Sequence, residues 1–148
     1  MKIGDICSRR VLLVKREDPL AEAARLMLKR HVGALVVTES AEMAARPVGL
    51  LTDRDIICGQ YTHRADLYCL TVADVMSAEL LTVTDDTDLG EALAKLRAGG
   101  VRRAPVVNEV GELVGIVTLD DLLPAIASQL STLAGLMGTQ TRRERVGG

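Results

Sequence analysis

Apolar residues recur along this chain at helical and strand spacing by turns. Leu20, Ala23, Ala24, Met27 and Leu28 fall at i, i+3, i+4, i+7 and i+8, the stripe of a helix with one buried face. Asp18-Pro19 precedes it, Asp suited to the N-cap and Pro to the first helical position. Gly33 ends that rhythm, and 34–37 reads as a buried strand. Residues 1–8 read as an extended arm leading to a strand at 11–14. The polar, Ala-rich 39–46 reads as a hairpin connection. Pro47 opens a strand at 48–51, and a helix runs from Asp53 to about Cys58. Residues 59–70, with both tyrosines and His63, show no period and read as a linker.

The same order returns. A strand at 80–83 leads to Thr87 as N-cap, with Asp88 and Glu91 favourably placed in the first turn. Leu89, Ala92, Leu93 and Leu96 form the stripe, and Gly99-Gly100 stops it. Strands at 104–107 and 113–117 flank a turn containing Gly111. A final helix starts near Leu119 and is expected to reach about Ser131, with Pro124 tolerated in its early turns. Gly135 and Gly138 interrupt the apolar pattern beyond Leu130, so 131–148 reads as a frayed tail, whose Arg142-Arg-Glu-Arg145 is read as solvated.

The order repeats because the residues do. Gly49-Leu-Leu-Thr52-Asp-Arg-Asp55 returns 66 residues later as Gly115-Ile-Val-Thr118-Leu-Asp-Asp121. Asp5-Ile6 matches Asp74-Val75, and Leu20-Ala-Glu22-Ala23 matches Leu89-Gly-Glu91-Ala92, both 69 residues apart. The longer connection at 39–46 accounts for the difference. A period of this length is one supersecondary unit used twice. The chain is therefore divided into a first repeat at 1–62, a linker at 63–71, a second repeat at 72–130 and the tail. One such unit buries only about 60% of its unfolded surface, so two sharing a core is the stable solution.

Thr-x-x-Asp, behind a strand and before a helix, has two physical readings. Thr and Asp can satisfy the helix's orphan N–H groups reciprocally, as a capping box. Alternatively the Asp accepts two hydrogen bonds from a vicinal diol such as a ribose, while the positive helix end favours a phosphate. Spacing alone leaves both open.

Composition narrows the partners. Net charge is −2, so no global basic field points to nucleic acid. There is no Phe or Trp and only two Tyr, Tyr61 and Tyr68, so stacking platforms for single strands are not expected and the core must be aliphatic. No apolar run is seen to approach the ~20 residues of a membrane span, and the N-terminus lacks an apolar signal core. Three cysteines without framework spacing suit a reducing compartment, and cytoplasmic is the expectation. Cys58, His63 and Cys69, with His31 as a fourth, lack the close pairs of a structural zinc site, and no metal is expected. P-loop and G-x-S-x-G patterns are absent, and adjacent Asp120 and Asp121 would point about 100° apart on a helix. No enzyme activity is expected.

Gly-h-h-Thr-x-x-Asp twice, with Val75-Met76-Ser, Leu81-Thr82-Val83 and Val101-Arg-Arg-Ala-Pro105-Val-Val around the second copy, resembles a tandem pair of cystathionine β-synthase (CBS) domains, the Bateman module. The resemblance spans roughly residues 1–129. It implies an α/β fold of two CBS repeats, each a small sheet with flanking helices, packed about a pseudo-two-fold axis with clefts between them. It further implies a non-catalytic sensor of AMP, ADP or ATP that forms a homodimer through helical faces and signals to an effector protein or through rearrangement of the dimer. Another adenosine ligand, such as S-adenosylmethionine or NAD, and an interaction or structural subunit without a physiological nucleotide are the alternatives.

By the same resemblance, Thr52, Asp55, Thr118 and Asp121 hold ribose. Arg102, Arg103, Arg54 and Asp120 face phosphates, and Thr82, Val83, Val101, Pro105 and Val106 surround adenine. The first copy departs from the pattern: Gly33-Ala34 stand where the second has its Arg pair, and Leu13 stands where it has Thr82. The clefts are therefore expected to differ. The one on Thr118, Asp121 and the Arg pair is expected to bind the phosphorylated ligand, and the one on Thr52, Arg54 and Asp55 to be the weaker.

Overall fold

The computed structural model describes residues 1–39 and 46–147, with side chains through 139, and it has the repeated α/β order that the sequence predicts. The elements are α1 (Ile3–Ile6), β1 (Leu13–Lys15), α2 (Leu20–Arg30), β2 (Ala34–Thr38), β3 (Pro47–Thr52) and α3 (Asp53–His63). Then come α4 (Val72–Val75), β4 (Val83–Thr84), α5 (Leu89–Gly99), β5 (Arg103–Val107), β6 (Leu113–Thr118) and α6 (Leu119–Gly147). They build two three-stranded sheets, β1-β2-β3 and β4-β5-β6, each with a parallel first pair and an antiparallel second pair.

The two cores trade their N-terminal arms. Residues 1–8, expected to be extended, contain α1, and Ile3 is fully buried among Val83, Leu89, Ala104, Val106 and Val117 of the second sheet's core. The arm is held by Ile3 N–H to Thr87 O (2.9 Å), Gly4 N–H to Asp85 O (2.8 Å) and a mutual pair of bonds between Ser8 and Ile116. Reciprocally, Leu70 and Val72 are buried in the first core, and Ser77 exchanges backbone bonds with Leu50.

Several element ends differ from expectation. Asp18 does not cap α2: its Oδ2 accepts from Lys15 N–H at 2.8 Å to close the preceding turn, and Pro19 takes the N-cap. Leu28 is 77% exposed, because it lies roughly 80° around the helix from buried Leu20. Asp88, not Thr87, is the N-cap of α5; Thr87 is buried with its hydroxyl 2.7 Å from that of Thr84. Helix α3 continues past Cys58 into the expected linker, since Gly59 lets it lie directly on Val75. Of the 39–46 connection, residues 40–45 lie outside the described residues. Its counterpart closes on Asn108, whose Oδ1 accepts from the N–H groups of Val110 and Glu112, with Gly111 at φ +85°.

The largest correction concerns the tail. Helix α6 does not fray near Ser131 but runs on for 29 residues in all. Leu122 and Ala125 in its first turns are core, while Leu130, Leu133, Leu136 and Met137 are exposed. Within it, the 21 residues Leu119–Thr139, mean hydropathy 1.2, are long and apolar enough by length and composition alone to cross a membrane. That corrects the expectation that no stretch approaches this length.

Candidate functional site

Each Thr-x-x-Asp sits where a strand hands over to a helix, and each forms its cap. Asp55 Oδ2 accepts from Thr52 N–H at 2.9 Å, and Thr52 Oγ1 accepts from Asp55 N–H at 3.1 Å. Asp121 Oδ2 accepts from Thr118 N–H at 2.9 Å and from the Thr118 hydroxyl at 3.1 Å. All of these bonds use Oδ2. Oδ1 of each carboxylate is outside them, and both aspartates are half-buried at the wall of a cleft. Capping and ligand recognition are therefore compatible here rather than exclusive.

The exchanged arms decide what faces each aspartate. A cleft of about 350 Å³ sets Ile116, Thr118, Asp120 and Asp121 of the second copy against Ser8, Arg10, Val11, Leu12 and His31 to Ala34 of the first. A larger cleft of about 520 Å³ sets Leu50, Thr52, Asp53, Arg54 and Asp55 of the first copy against Ser77, Glu79, Leu80, Leu81, Gly100 to Arg103 and Pro105 of the second. The two are pseudo-symmetric at most lining positions. Ser8 and Ser77 correspond, and so do the left-handed helix ends His31 (φ 55°) and Gly100 (φ 64°).

The expected site residues are distributed across this arrangement. Arg103 lines both clefts. Arg102 lines only the larger one, beside Thr52, Arg54 and Asp55, so the expected grouping of the Arg pair with Thr118 and Asp121 holds for Arg103 alone. Val101 and Pro105 also line the larger cleft. Thr82, Val83 and Val106 line neither: Val83 and Val106 are at most 1% exposed and belong to the second core, and Thr82 lies just before β4. Arg10, Ser8, Glu79 and Asp53 were not expected at the clefts. The 69-residue register that relates Asp5 to Asp74 also relates Ser8 to Ser77 and Arg10 to Glu79, a signal that extends along both arms.

Electrostatically, the smaller cleft sets Arg10 and Arg103 near Asp120 and Asp121, and the larger sets Arg54, Arg102 and Arg103 near Asp53, Asp55 and Glu79. Among the described residues the ion pairs are Lys2–Asp88, Arg25–Glu22 and Lys95–Glu91, all outside the clefts. Among the described residues, then, no cleft guanidinium group is in an ion pair. Among the described residues no three His, Cys, Asp or Glu side chains gather as a metal site. Cys58 and Cys69 are exposed, and His63 Nε2 lies 3.1 Å from the carbonyl oxygen of Asp74.

A model of the CBS domain matches residues 3–58 and 72–128. The chain is 34% identical over 120 residues to the CBS domain-containing protein YhcV of Bacillus subtilis, covering 81% of each chain. It resembles the crystal structure of the conserved CBS domain protein TA0289 of Thermoplasma acidophilum, with TM-score 0.76 and 29% identity over 84% of this chain and 68% of that one. It resembles CBSX2, solved in complex with AMP, with TM-score 0.73 and 29% identity over 88% of this chain and 98% of that one. The chain spans 61% of the length of a Methanopyrus kandleri relative and 22% of an inosine-5'-monophosphate dehydrogenase of Thermoplasma acidophilum that it also matches. The matched model, covering both repeats, establishes that this chain belongs to the CBS-domain family, one copy of the domain in each half.

Proposed function

We propose that this chain is a regulatory module, not a catalyst, that binds an adenosine nucleotide (AMP, ADP or ATP) in the clefts between its repeats. Occupancy is passed on to an effector protein or to the arrangement of two paired copies. One observation carries the reading: each cleft pairs a capping aspartate, with Oδ1 outside the main-chain bonds, with arginines that are in none of the ion pairs among the described residues. A vicinal diol satisfies the aspartate, and phosphate satisfies both the guanidinium groups and the helix N-terminus. Leu80, Leu81, Val101 and Pro105 give the larger cleft the apolar wall that a purine needs. The AMP held by the structural relative CBSX2 supports the ligand class. A ligand bound mainly to one conformer shifts the pair toward it by no more than its differential affinity.

The test is a thermal-shift and calorimetry panel of adenosine, AMP, ADP, ATP and S-adenosylmethionine. At a hundred times Kd a ligand adds about 2.7 kcal/mol of stability, worth very roughly 5–11 °C at this size. The expected result is a shift that requires phosphate and vanishes in folded Asp55→Ala and Asp121→Ala variants. A response to S-adenosylmethionine alone would replace the nucleotide with another adenosine ligand. A flat panel would overturn the sensor reading in favour of an interaction subunit.

A further inference from the structure

Helix α6 carries an apolar seam that its own fold leaves largely exposed. Leu119, Leu123, Ile126, Leu130, Leu133 and Met137 succeed one another at steps of 4, 3, 4, 3 and 4 residues, the 3.5-residue period of a coiled-coil seam. Leu123, Leu130, Leu133 and Met137 are 56, 62, 55 and 63% exposed. The contact with the second core is centred on another face: buried Leu122 and Ala125 lie on the order of 60–120° around the helix from the seam, and of the seam residues Ile126 is partly buried against that core. We propose that α6 pairs with α6 of a second copy along this seam. The inference rests on the proposed pairing of two copies and is independent of the nucleotide.

A second copy is the occupant that the chemistry selects. A two-fold axis makes one surface complementary to itself, and a strict heptad offers each knob a hole of its own kind. Ala127 and Ala134 flank the seam and permit close approach of two backbones. The exposed seam amounts to on the order of 600 Å² per copy, hence ~1,200 Å² for a pair. The pair total reaches the lower bound of specific interfaces, and the per-copy figure stands at the upper end of the roughly 300–600 Å² that a lone protein exposes in its largest apolar patch.

A bilayer fits less well. The other faces carry Asp120, Asp121, Ser128, Gln129, Ser131 and Thr132, whereas a spanning helix is apolar all round. A helix lying on a lipid surface carries Lys or Arg along its apolar stripe, whereas the seam of α6 has none over 119–139 and the helix's arginines come only after it, at 142, 143 and 145.

The experiment is sedimentation equilibrium of the full chain across roughly a hundredfold range of concentration, with Leu130→Glu/Leu133→Glu as the variant. Leu28→Glu/Ile57→Glu, at exposed apolar positions elsewhere, is the comparison. Circular dichroism and melting establish that each variant is folded, which the exposure of all four positions favours. The seam predicts a dimeric wild type, a dimeric Leu28→Glu/Ile57→Glu and a monomeric Leu130→Glu/Leu133→Glu. A variant that stays dimeric overturns the seam but leaves pairing standing. A wild type monomeric throughout overturns both, and so does a monomer that floats with neutral phosphatidylcholine vesicles, which would reassign the stripe to lipid.

Discussion

The carbonyl oxygen of Ser8 lies 2.6 Å from the point that a Cβ on Gly115 would occupy. Ser77 O stands at 2.8 Å from the same point on Gly49. The glycine that opens each Gly-h-h-Thr motif is thus there because the exchanged arm crosses it and bonds to the next residue. Gly115→Ala should cost about 1–3 kcal/mol by overpacking. Gly90→Ala, in α5 with nothing within 4 Å, should instead stabilise by up to about 1 kcal/mol. Chemical denaturation gives both signs, and equal effects at the two sites would refute the crossing.

Ile3 is two residues from the chain start, yet it is fully buried in the second core. Ile3→Ala should cost about 2–5 kcal/mol, the range of buried aliphatic truncations. Hydrogen exchange should speed up in β5 and β6 more than in β2 and β3. Faster exchange centred on the first sheet would contradict the arm exchange.

Because Arg103 borders both clefts and Arg102 only one, their substitutions should differ in kind. On the nucleotide reading, Arg103→Ala weakens binding at both clefts, and Arg102→Ala weakens only the larger. Loss of a charge-assisted bond of about 1.5–3 kcal/mol corresponds to roughly 10- to 150-fold in affinity. Calorimetric stoichiometry with AMP separates the two patterns.

Asp74 caps α4 through bonds from Thr71 N–H (2.8 Å) and the Thr71 hydroxyl (3.1 Å). Those bonds hold its carboxyl below the ordinary 3.8, backbone bond first, against a small opposing effect of burial. A pKa depressed in the folded state gives stability that is complete above about 3.8 and lost as pH falls through the lower folded value. The melting difference between wild type and Asp74→Ala should hold from neutrality down to that region and then shrink. A difference that grew toward acid would contradict the assignment.

Burial pushes the Cys7 thiol above its ordinary 9.0, with Arg9 opposing and the nearby Asp121 adding to the rise. Cys58 and Cys69 are exposed, and the hydrogen bond and charge of Asp66 raise the Cys69 thiol as well. Iodoacetamide in mild alkali should modify Cys7 more slowly than exposed Cys58, by on the order of tenfold, and denaturant should remove the difference. Peptide mapping over a time course reads this directly, and early modification of Cys7 would place it outside its pocket beside Gly115.

Much of the molecule could be read from residue order because the signals are local. The Leu20 and Leu89 stripes, the Gly100 stop and both Thr-x-x-Asp caps depend on neighbours within a turn or two. Helix ends were less legible. Gly135 and Gly138 argue for fraying by propensity alone, yet α6 continues through both. Gly59, likewise a helix breaker by propensity, is held in α3 by contact with Val75, a residue 16 positions away.

What the sequence determined by itself was the repeated α/β unit, its family motifs and the two aspartates at helix mouths, since periodicity and capping are short-range physics. What tertiary structure alone decided was partnership. Exchanging the arms places each aspartate opposite the other repeat's residues, separates Arg102 from Asp121, and leaves Arg103 at both clefts. Which core an arm completes depends on the apolar surface buried by a long-range crossover, and no local pattern carries that information.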